Sequence, residues 1–120
     1  MPVWLPVVIY GTTVVLGLVL GWYFLSARRP PLGLQALHLV IGLAGLEVVI
    51  AATQFSRGRP VLSEGIGIAL VLLGLAAFTG LVAGTFAKSN PESTGTALLA
   101  HASLGGIGFL VLANWALNAA

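Results

Sequence analysis

The chain has 120 residues, of which 58% are hydrophobic and 7% are charged, and its mean hydropathy is +1.07. This composition excludes a soluble domain with a polar surface and predicts a protein that lies in lipid. The formal net charge of +2 comes from scattered basic residues, which excludes the clustered basic patch of a nucleic-acid-binding protein. The absence of cysteine excludes disulfides, thiolate ligands, iron–sulfur clusters and c-type haem attachment.

Four apolar stretches are predicted to cross the membrane, at residues 3–25, 34–55, 65–87 and 96–117. Each approaches or exceeds the roughly 20 residues that span a bilayer core. The first stretch lacks a positively charged amino-terminal region and is longer than the apolar part of a secretory signal, so we expect it to be retained. The predicted fold is all-α: a polytopic membrane protein whose four-transmembrane-helix bundle forms a single transmembrane domain over residues 1–120.

Short loops rich in proline and basic residues separate the stretches, so consecutive helices are expected to be antiparallel neighbours. The loop after the first stretch holds Arg28 and Arg29, and the loop after the third holds Lys88. The second loop holds Arg57 and Arg59. Because the first and third loops share a side of the membrane, the positive-inside rule favours both termini outside.

Two further sets of residues are expected near the ends of the helices. Candidate N-caps of the fourth helix have side-chain oxygens and precede its apolar run: Asn90, Ser93 and Thr94. Aromatic side chains near the ends of the stretches are expected at the membrane interface: Trp4, Trp22, Tyr23 and Trp115.

An internal repeat with an offset of 63 relates the two halves of the chain. It aligns Gly17 and Gly21 with Gly80 and Gly84, which are Gly-xxx-Gly pairs typical of close helix packing. The predicted halves are residues 1–63, with helices one and two, and residues 64–120, with helices three and four. Because the offset carries the first helix onto the third, the halves have the same orientation and form a parallel repeat about an axis along the membrane normal.

The same offset aligns His38 with His101, the two histidines of the chain. An intramembrane histidine is costly and is a candidate for function. The repeat predicts that both rings lie at one depth, near the first and third loops, and face each other. Each histidine begins a helical stripe of glycines at offsets of 4 and 7: Gly42 and Gly45 after the first, Gly105 and Gly108 after the second. Such a stripe suits either helix packing or a flat macrocycle with an axial imidazole, and we expect Gly42 and Gly105 to open space between helices two and four.

We interpret the two histidines as the metal ligands of one haem b per chain. Two axial imidazoles leave no open position on the iron, which favours electron transfer. Haem propionates are anionic, and Arg28, Arg29 and Lys88 at the same end of the bundle are their expected partners. Ligation of another macrocycle or metal, and a purely structural histidine pair, stay open as alternatives.

The chain resembles the membrane cytochromes b, whose four-helix units hold haem between histidines on facing helices. The residues that carry the resemblance are His38 and His101 with Gly42 and Gly105. It implies electron exchange with a quinol or a neighbouring redox subunit, and so an electron-transfer subunit rather than a stand-alone enzyme. Many members of that class bind two haems through four histidines, whereas this chain has ligands for one. The expected partners are membrane lipid and other membrane subunits or further copies of the chain, in the inner or cytoplasmic membrane of a prokaryote.

Two other functions stay open from the sequence. The spacing Ala97-x-x-x-His101 is similar to that of light-harvesting helices and suggests a subunit that binds chlorophyll or bacteriochlorophyll. A cofactor-free accessory subunit or a small channel or transporter is the remaining alternative. Glu47 lies nine residues after His38, on the opposite side of the predicted helix, and its repeat counterpart is Leu110. We expect Glu47 to face a partner or to have a structural role.

Overall fold

The computed structural model describes residues 1–87 and 89–120. Within these residues it has four α-helices: α1 (Leu5–Leu25), α2 (Leu32–Phe55), α3 (Pro60–Phe86) and α4 (Pro91–Ala119). Each helix is long and apolar enough to cross a membrane. The bundle is 46 Å long, which is close to the roughly 40–45 Å of a bilayer with its headgroups. The prediction of an all-α fold with four helices of membrane-spanning length is confirmed.

Proline sets the starts of α3 and α4, which begin earlier than the apolar stretches predicted. Pro60 and Pro91 stand at the first position of their helices. There the fixed backbone angle suits a helix and the missing N–H has no intrahelical acceptor to lose. Glu92 lies in the first turn of α4, and Glu64 is the fifth residue of α3. Hydropathy alone therefore places both starts too late in the sequence.

Asn90 is the N-cap of α4 and is one of the three residues predicted as candidates for that position. Its side-chain oxygen accepts a hydrogen bond from the backbone N–H of Ser93 at 3.4 Å. Its extended backbone suits both an N-cap and a residue that precedes proline. Ser93 and Thr94 lie inside α4, so their prediction as caps is wrong.

The helices form a ring in which each helix contacts the one before and the one after, and α4 returns beside α1. We call α1 with α2 the first hairpin and α3 with α4 the second hairpin. The second hairpin has the most extensive contact of any helix pair. Among the described residues, no Cα of α2 lies within 8 Å of a Cα of α4, because these helices stand across the diagonal of the ring.

Burial is concentrated in the part of the bundle that carries both chain ends and the loop between α2 and α3. We call residues 1–16, 43–79 and 106–120 the packed half. Its buried side chains and glycines interdigitate across all four helices. They are Pro6, Tyr10, Thr13, Gly45, Val49, Ala52, Ser56, Leu62, Ile66, Ala69, Leu73, Ala76, Gly108, Leu112, Trp115 and Ala116.

Trp115 is part of this core and is only 2% exposed, so the prediction that it lies at the membrane interface is wrong. Its indole Nε1–H donates a hydrogen bond to the hydroxyl oxygen of Ser56 at 3.1 Å. The Ser56 hydroxyl in turn donates to the carbonyl oxygen of Ala52, and the Ser63 hydroxyl donates to the Ser56 carbonyl. Because a buried indole N–H needs an acceptor, this network determines where α4 meets the end of α2.

The other part of the bundle, which we call the histidine half, comprises residues 17–42 and 80–105. Among its described residues, Ala83 and Thr94 alone are buried. The core thus ends near the level of the two histidines.

Candidate functional site

His38 and His101 lie on α2 and α4, toward the loops that join α1 to α2 and α3 to α4. His38 follows the first residue of α2 by six positions (38 − 32), and His101 follows the first residue of α4 by ten (101 − 91). At 1.5 Å per residue these are about 9 and 15 Å from the helix starts. The difference arises because α4 begins with the additional turn that Pro91 starts.

The two imidazole rings face each other across the diagonal of the bundle. Their centroids are 5.9 Å apart and their planes are inclined by 81°. Both rings are half-buried. The prediction that the histidines meet in the bundle is confirmed. The pair joins side chains from two helices, α2 and α4, whose backbones are not in contact.

Each imidazole is hydrogen-bonded to a backbone carbonyl of its own hairpin. The Nδ1 of His38 lies 3.1 Å from the carbonyl oxygen of Thr13 on α1, and the Nδ1 of His101 lies 2.6 Å from that of Ala76 on α3. Both contacts join residues that are 25 positions apart. Because a carbonyl oxygen can only accept, each ring must carry its proton on Nδ1. A neutral ring then has an unprotonated Nε2, which is the nitrogen free to bind a metal.

Gln35 and Ser103 are polar residues close to the histidines in the sequence, but neither is a hydrogen-bond partner of an imidazole. Both are exposed, and the Gln35 side chain donates to the carbonyl oxygen of Pro30. The carbonyls of Thr13 and Ala76 carry no residue-type signature, so sequence composition did not point to them. The signal that could have found them is the register of the hairpins, since the same 25-residue separation recurs at the offset of 63.

Gly17 and Gly80 lie directly against the imidazole rings. A Cβ added to Gly17 would be 3.1 Å from Cε1 of His38, and one added to Gly80 would be 2.8 Å from Nδ1 of His101. Gly21 and Gly84, one turn further along, have no atom within 4 Å of an added Cβ. The two members of each Gly-xxx-Gly pair therefore differ in their surroundings, which the shared motif did not reveal.

The glycine stripes that follow the histidines face the neighbouring helix of the same hairpin. A Cβ on Gly42 would meet Thr13, and a Cβ on Gly105 would meet Ala76. The expectation that these glycines open space between α2 and α4 is wrong, because they bring α2 close to α1 and α4 close to α3. Contact of Gly42 or Gly105 with a cofactor stays a prediction.

Gly45 and Gly108 lie deeper in the packed half and are buried. Gly45 is against Tyr10 and Ile9, and Gly108 is against Leu73 and Leu72. In the structure these two glycines allow close packing within each hairpin. A cofactor contact at either position stays a prediction.

The basic residues expected near the site lie in the loops at the same end of the bundle. Arg28 and Arg29 are both exposed in the loop between α1 and α2. The backbone N–H of Arg28 closes the end of α1 through a hydrogen bond to the carbonyl of Tyr23. Lys88 is outside the described residues, and its role stays a prediction.

Glu47 is exposed on α2. It follows His38 by nine residues, which places it on the opposite side of the helix. Its repeat counterpart Leu110 is also exposed, so both positions lie on the outer surface of the bundle. In the described part of the chain, no group of three or more His, Asp or Glu side chains forms a metal site. Among the described residues, the histidine pair therefore offers two candidate donors and no third one beside them.

No protein-family model, curated protein or solved structure matches this chain. The site has to be interpreted from its own geometry and chemistry.

Proposed function

We propose that the protein is a membrane electron-transfer protein that binds one haem b between His38 and His101. The observation that carries the proposal is the pair of facing imidazoles, each held by its Nδ1 on a backbone carbonyl. Metal-binding histidines commonly donate the other ring N–H to such an acceptor, which orients the ring and raises its basicity as a ligand.

The donor set and its spacing fit a haem iron. Two imidazoles that bind one metal from opposite sides, each at a metal–nitrogen distance of about 2 Å, have centroids roughly 6 Å apart. The observed separation is 5.9 Å. Because the two nitrogens lie on opposite edges of an imidazole, the Nδ1 contacts leave each Nε2 turned away from the carbonyl that holds the ring.

The sparse burial of the histidine half also supports a large ligand. Its helices contribute little core of their own, whereas the packed half is filled by side chains. When bound, haem would supply a one-electron redox centre. The protein's residues would orient the ligands, exclude water from one side through the packed half, and offer Arg28 and Arg29 as partners for the anionic propionates.

We also propose that the two hairpins are copies in a parallel repeat, related by an axis along the membrane normal. The register within each hairpin supports this, because contacts in the first recur in the second at an offset of 63. The corresponding pairs are Gly17–His38 with Gly80–His101, Thr13–Gly42 with Ala76–Gly105, and Tyr10–Gly45 with Leu73–Gly108.

The electron partner is proposed to be a quinol or a neighbouring redox subunit, and the location the cytoplasmic membrane of a prokaryote. The double substitution Arg28→Gln and Arg29→Gln removes both charges and keeps both histidine ligands. It is expected to change the reduction potential of the haem. That shift measures the contribution of the two guanidinium groups.

A specific observation favours a second candidate, a cofactor-free accessory subunit. Each imidazole already has a hydrogen-bond partner, so the histidine pair is also compatible with a purely structural role. The absorption spectrum of the purified protein distinguishes the two candidates, because only the first has haem bands. Strong red absorption in place of haem bands would identify a chlorophyll-type pigment.

The test is purification of the protein from a haem-producing host, followed by measurement of haem content and of the oxidised and reduced spectra. We expect one haem b per chain, with the sharp α band of a six-coordinate cytochrome. His38→Ala and His101→Ala are each expected to lose this spectrum, and Gln35→Ala serves as the matched control on the exposed side of α2. A wild-type protein that takes up no haem, with both histidine variants unchanged, rejects the proposal.

A further inference from the structure

Gly17 on α1 and Gly80 on α3 lie close to the imidazoles of His38 and His101. Each lies one turn after the residue whose carbonyl holds the histidine: Gly17 follows Thr13, and Gly80 follows Ala76. The Cε1 and Nδ1 atoms of each ring therefore lie beside a glycine, while Nδ1 reaches the carbonyl one turn earlier. Any other residue would put a side chain into the space that the ring occupies.

We propose that Gly17 and Gly80 are positioning residues for the two histidine ligands, so that the missing Cβ on α1 and α3 determines which ring nitrogen faces the haem. This inference rests on the proposed function for its ligand, and on the contacts of the described residues for its geometry. It assigns to these glycines a role different from the helix packing that the Gly-xxx-Gly spacing indicates.

The distances predict unequal effects at the two sites. At Gly80, an added Cβ would lie 2.8 Å from Nδ1 and 2.9 Å from Cε1 of His101, and such contacts essentially never occur for a real Cβ. The ring must move, and Nδ1 is the atom pushed from its acceptor. At Gly17, the nearest atom is Cε1 of His38 at 3.1 Å, which a small displacement of the ring relieves. The substitution Gly80→Ala is thus expected to act more strongly than Gly17→Ala.

The chain offers a matched control on each helix. Gly84 and Gly21 occupy the second position of each Gly-xxx-Gly pair, and neither has an atom within 4 Å of an added Cβ. Gly84→Ala and Gly21→Ala change the same residue type, in the same helix, one turn away. They reproduce the change in helix propensity without touching a histidine.

The first measurement uses the haem-free protein in detergent micelles, labelled with ¹⁵N at histidine. The nitrogen shifts report which ring nitrogen carries the proton. We expect the Nδ1–H tautomer for both histidines in the wild type and in both control variants. Gly80→Ala should move His101 toward a mixture of tautomers and leave His38 unchanged. If His101 keeps the Nδ1–H tautomer in Gly80→Ala, the inference is overturned.

The second measurement is haem affinity by titration with free haem b, together with the circular dichroism of each variant. Substitution of a group that orients a metal ligand typically weakens metal binding by about 10–100-fold, and we expect Gly80→Ala to fall in that range. Gly17→Ala should have a smaller effect and the two controls almost none, with helix content unchanged in all four. An equal loss in Gly80→Ala and Gly84→Ala would assign both glycines to helix packing and overturn the inference.

The two proposals fail in different ways. A wild-type protein that binds no haem rejects the proposed function, while the tautomer measurement still decides whether the glycines position the rings. If Gly80→Ala does not fold, the milder Gly17→Ala provides the same two readouts at His38. Unchanged tautomer and affinity in that variant, beside a bound wild type, would count against the positioning role.

Discussion

The packed half and the histidine half belong to the same four helices but bury their inner surfaces to different extents. In the packed half, large side chains from all four helices interdigitate, and Trp115 with Ser56 joins α4 to the end of α2. In the histidine half, two imidazoles lie against glycines and reach back to carbonyls at the edge of the packed half, and few side chains are buried. The comparison teaches that the tightly packed core and the proposed ligand site are separated along the bundle axis, with the histidines at the boundary.

The largest effect on stability is expected from Trp115→Ala, because it removes the largest fully buried side chain of the packed half. Truncation of a buried tryptophan typically lowers the free energy of unfolding by about 3–5 kcal/mol. Trp22→Ala is the matched control, since Trp22 is 67% exposed in the histidine half. Unfolding in mixed micelles measures both. Equal losses in the two variants would show that the two halves do not differ in packing.

Haem is expected to stabilise the wild-type protein by the next largest amount. A ligand that binds only the folded state adds about 2.7 kcal/mol to the free energy of unfolding at one hundred times its dissociation constant. The same increment should appear in Trp115→Ala, because that residue lies outside the histidine half. It should vanish in His101→Ala. A wild-type unfolding midpoint that does not move with added haem would contradict haem binding, and an increment that is lost in Trp115→Ala would contradict the separation of the core from the ligand site.

Ser56→Ala tests the polar contact within the packed half. The substitution leaves the buried indole N–H of Trp115 without its acceptor, which typically costs about 1–3 kcal/mol. Ser103→Ala, at an exposed position of the histidine half, provides the control and should be close to neutral. Equilibrium unfolding of the two variants under one set of conditions gives the difference. If Ser56→Ala does not lower the free energy of unfolding, this hydrogen bond does not stabilise the packed half.

The smallest effect is expected from Asn90→Ala, which removes the N-cap of α4 in the histidine half. Loss of a capping side chain typically costs about 0.5–2 kcal/mol, and the 3.4 Å length of this bond places the expected value at the lower end. Asn90→Asp keeps an acceptor and should restore the wild-type value. Thermal unfolding followed by circular dichroism measures both variants. A decrease in the free energy of unfolding as large as that of Trp115→Ala would contradict the expected difference in packing between the two halves.

The sequence predicted the number and approximate extent of the helices because apolar runs of this length are a strong signal. It placed α3 and α4 too late, since Glu64 and Glu92 lower the hydropathy near the helix starts although proline has already begun the helix. Trp115 was assigned to the interface from its position near a helix end. Its burial depends on a hydroxyl from another helix, which a linear pattern does not contain.

The facing histidines could be predicted because the offset of 63 implies equal depth for both. Their anchoring could not, because it depends on how α1 and α3 are aligned with α2 and α4 in each hairpin. The same alignment separates Gly80, where an added Cβ would meet His101, from Gly84, where an added Cβ would have no atom within 4 Å. Residue types gave the candidates, and the helix register determined which of them reach the site.

The most direct test of the central claim is low-temperature electron paramagnetic resonance of the oxidised protein with one equivalent of haem b. Two imidazoles inclined by 81° are expected to give the highly anisotropic low-spin signal of nearly perpendicular axial ligands. His38→Ala and His101→Ala should each lose that signal. A high-spin signal in the wild type, or a low-spin signal that survives both substitutions, would contradict ligation of one haem by this histidine pair.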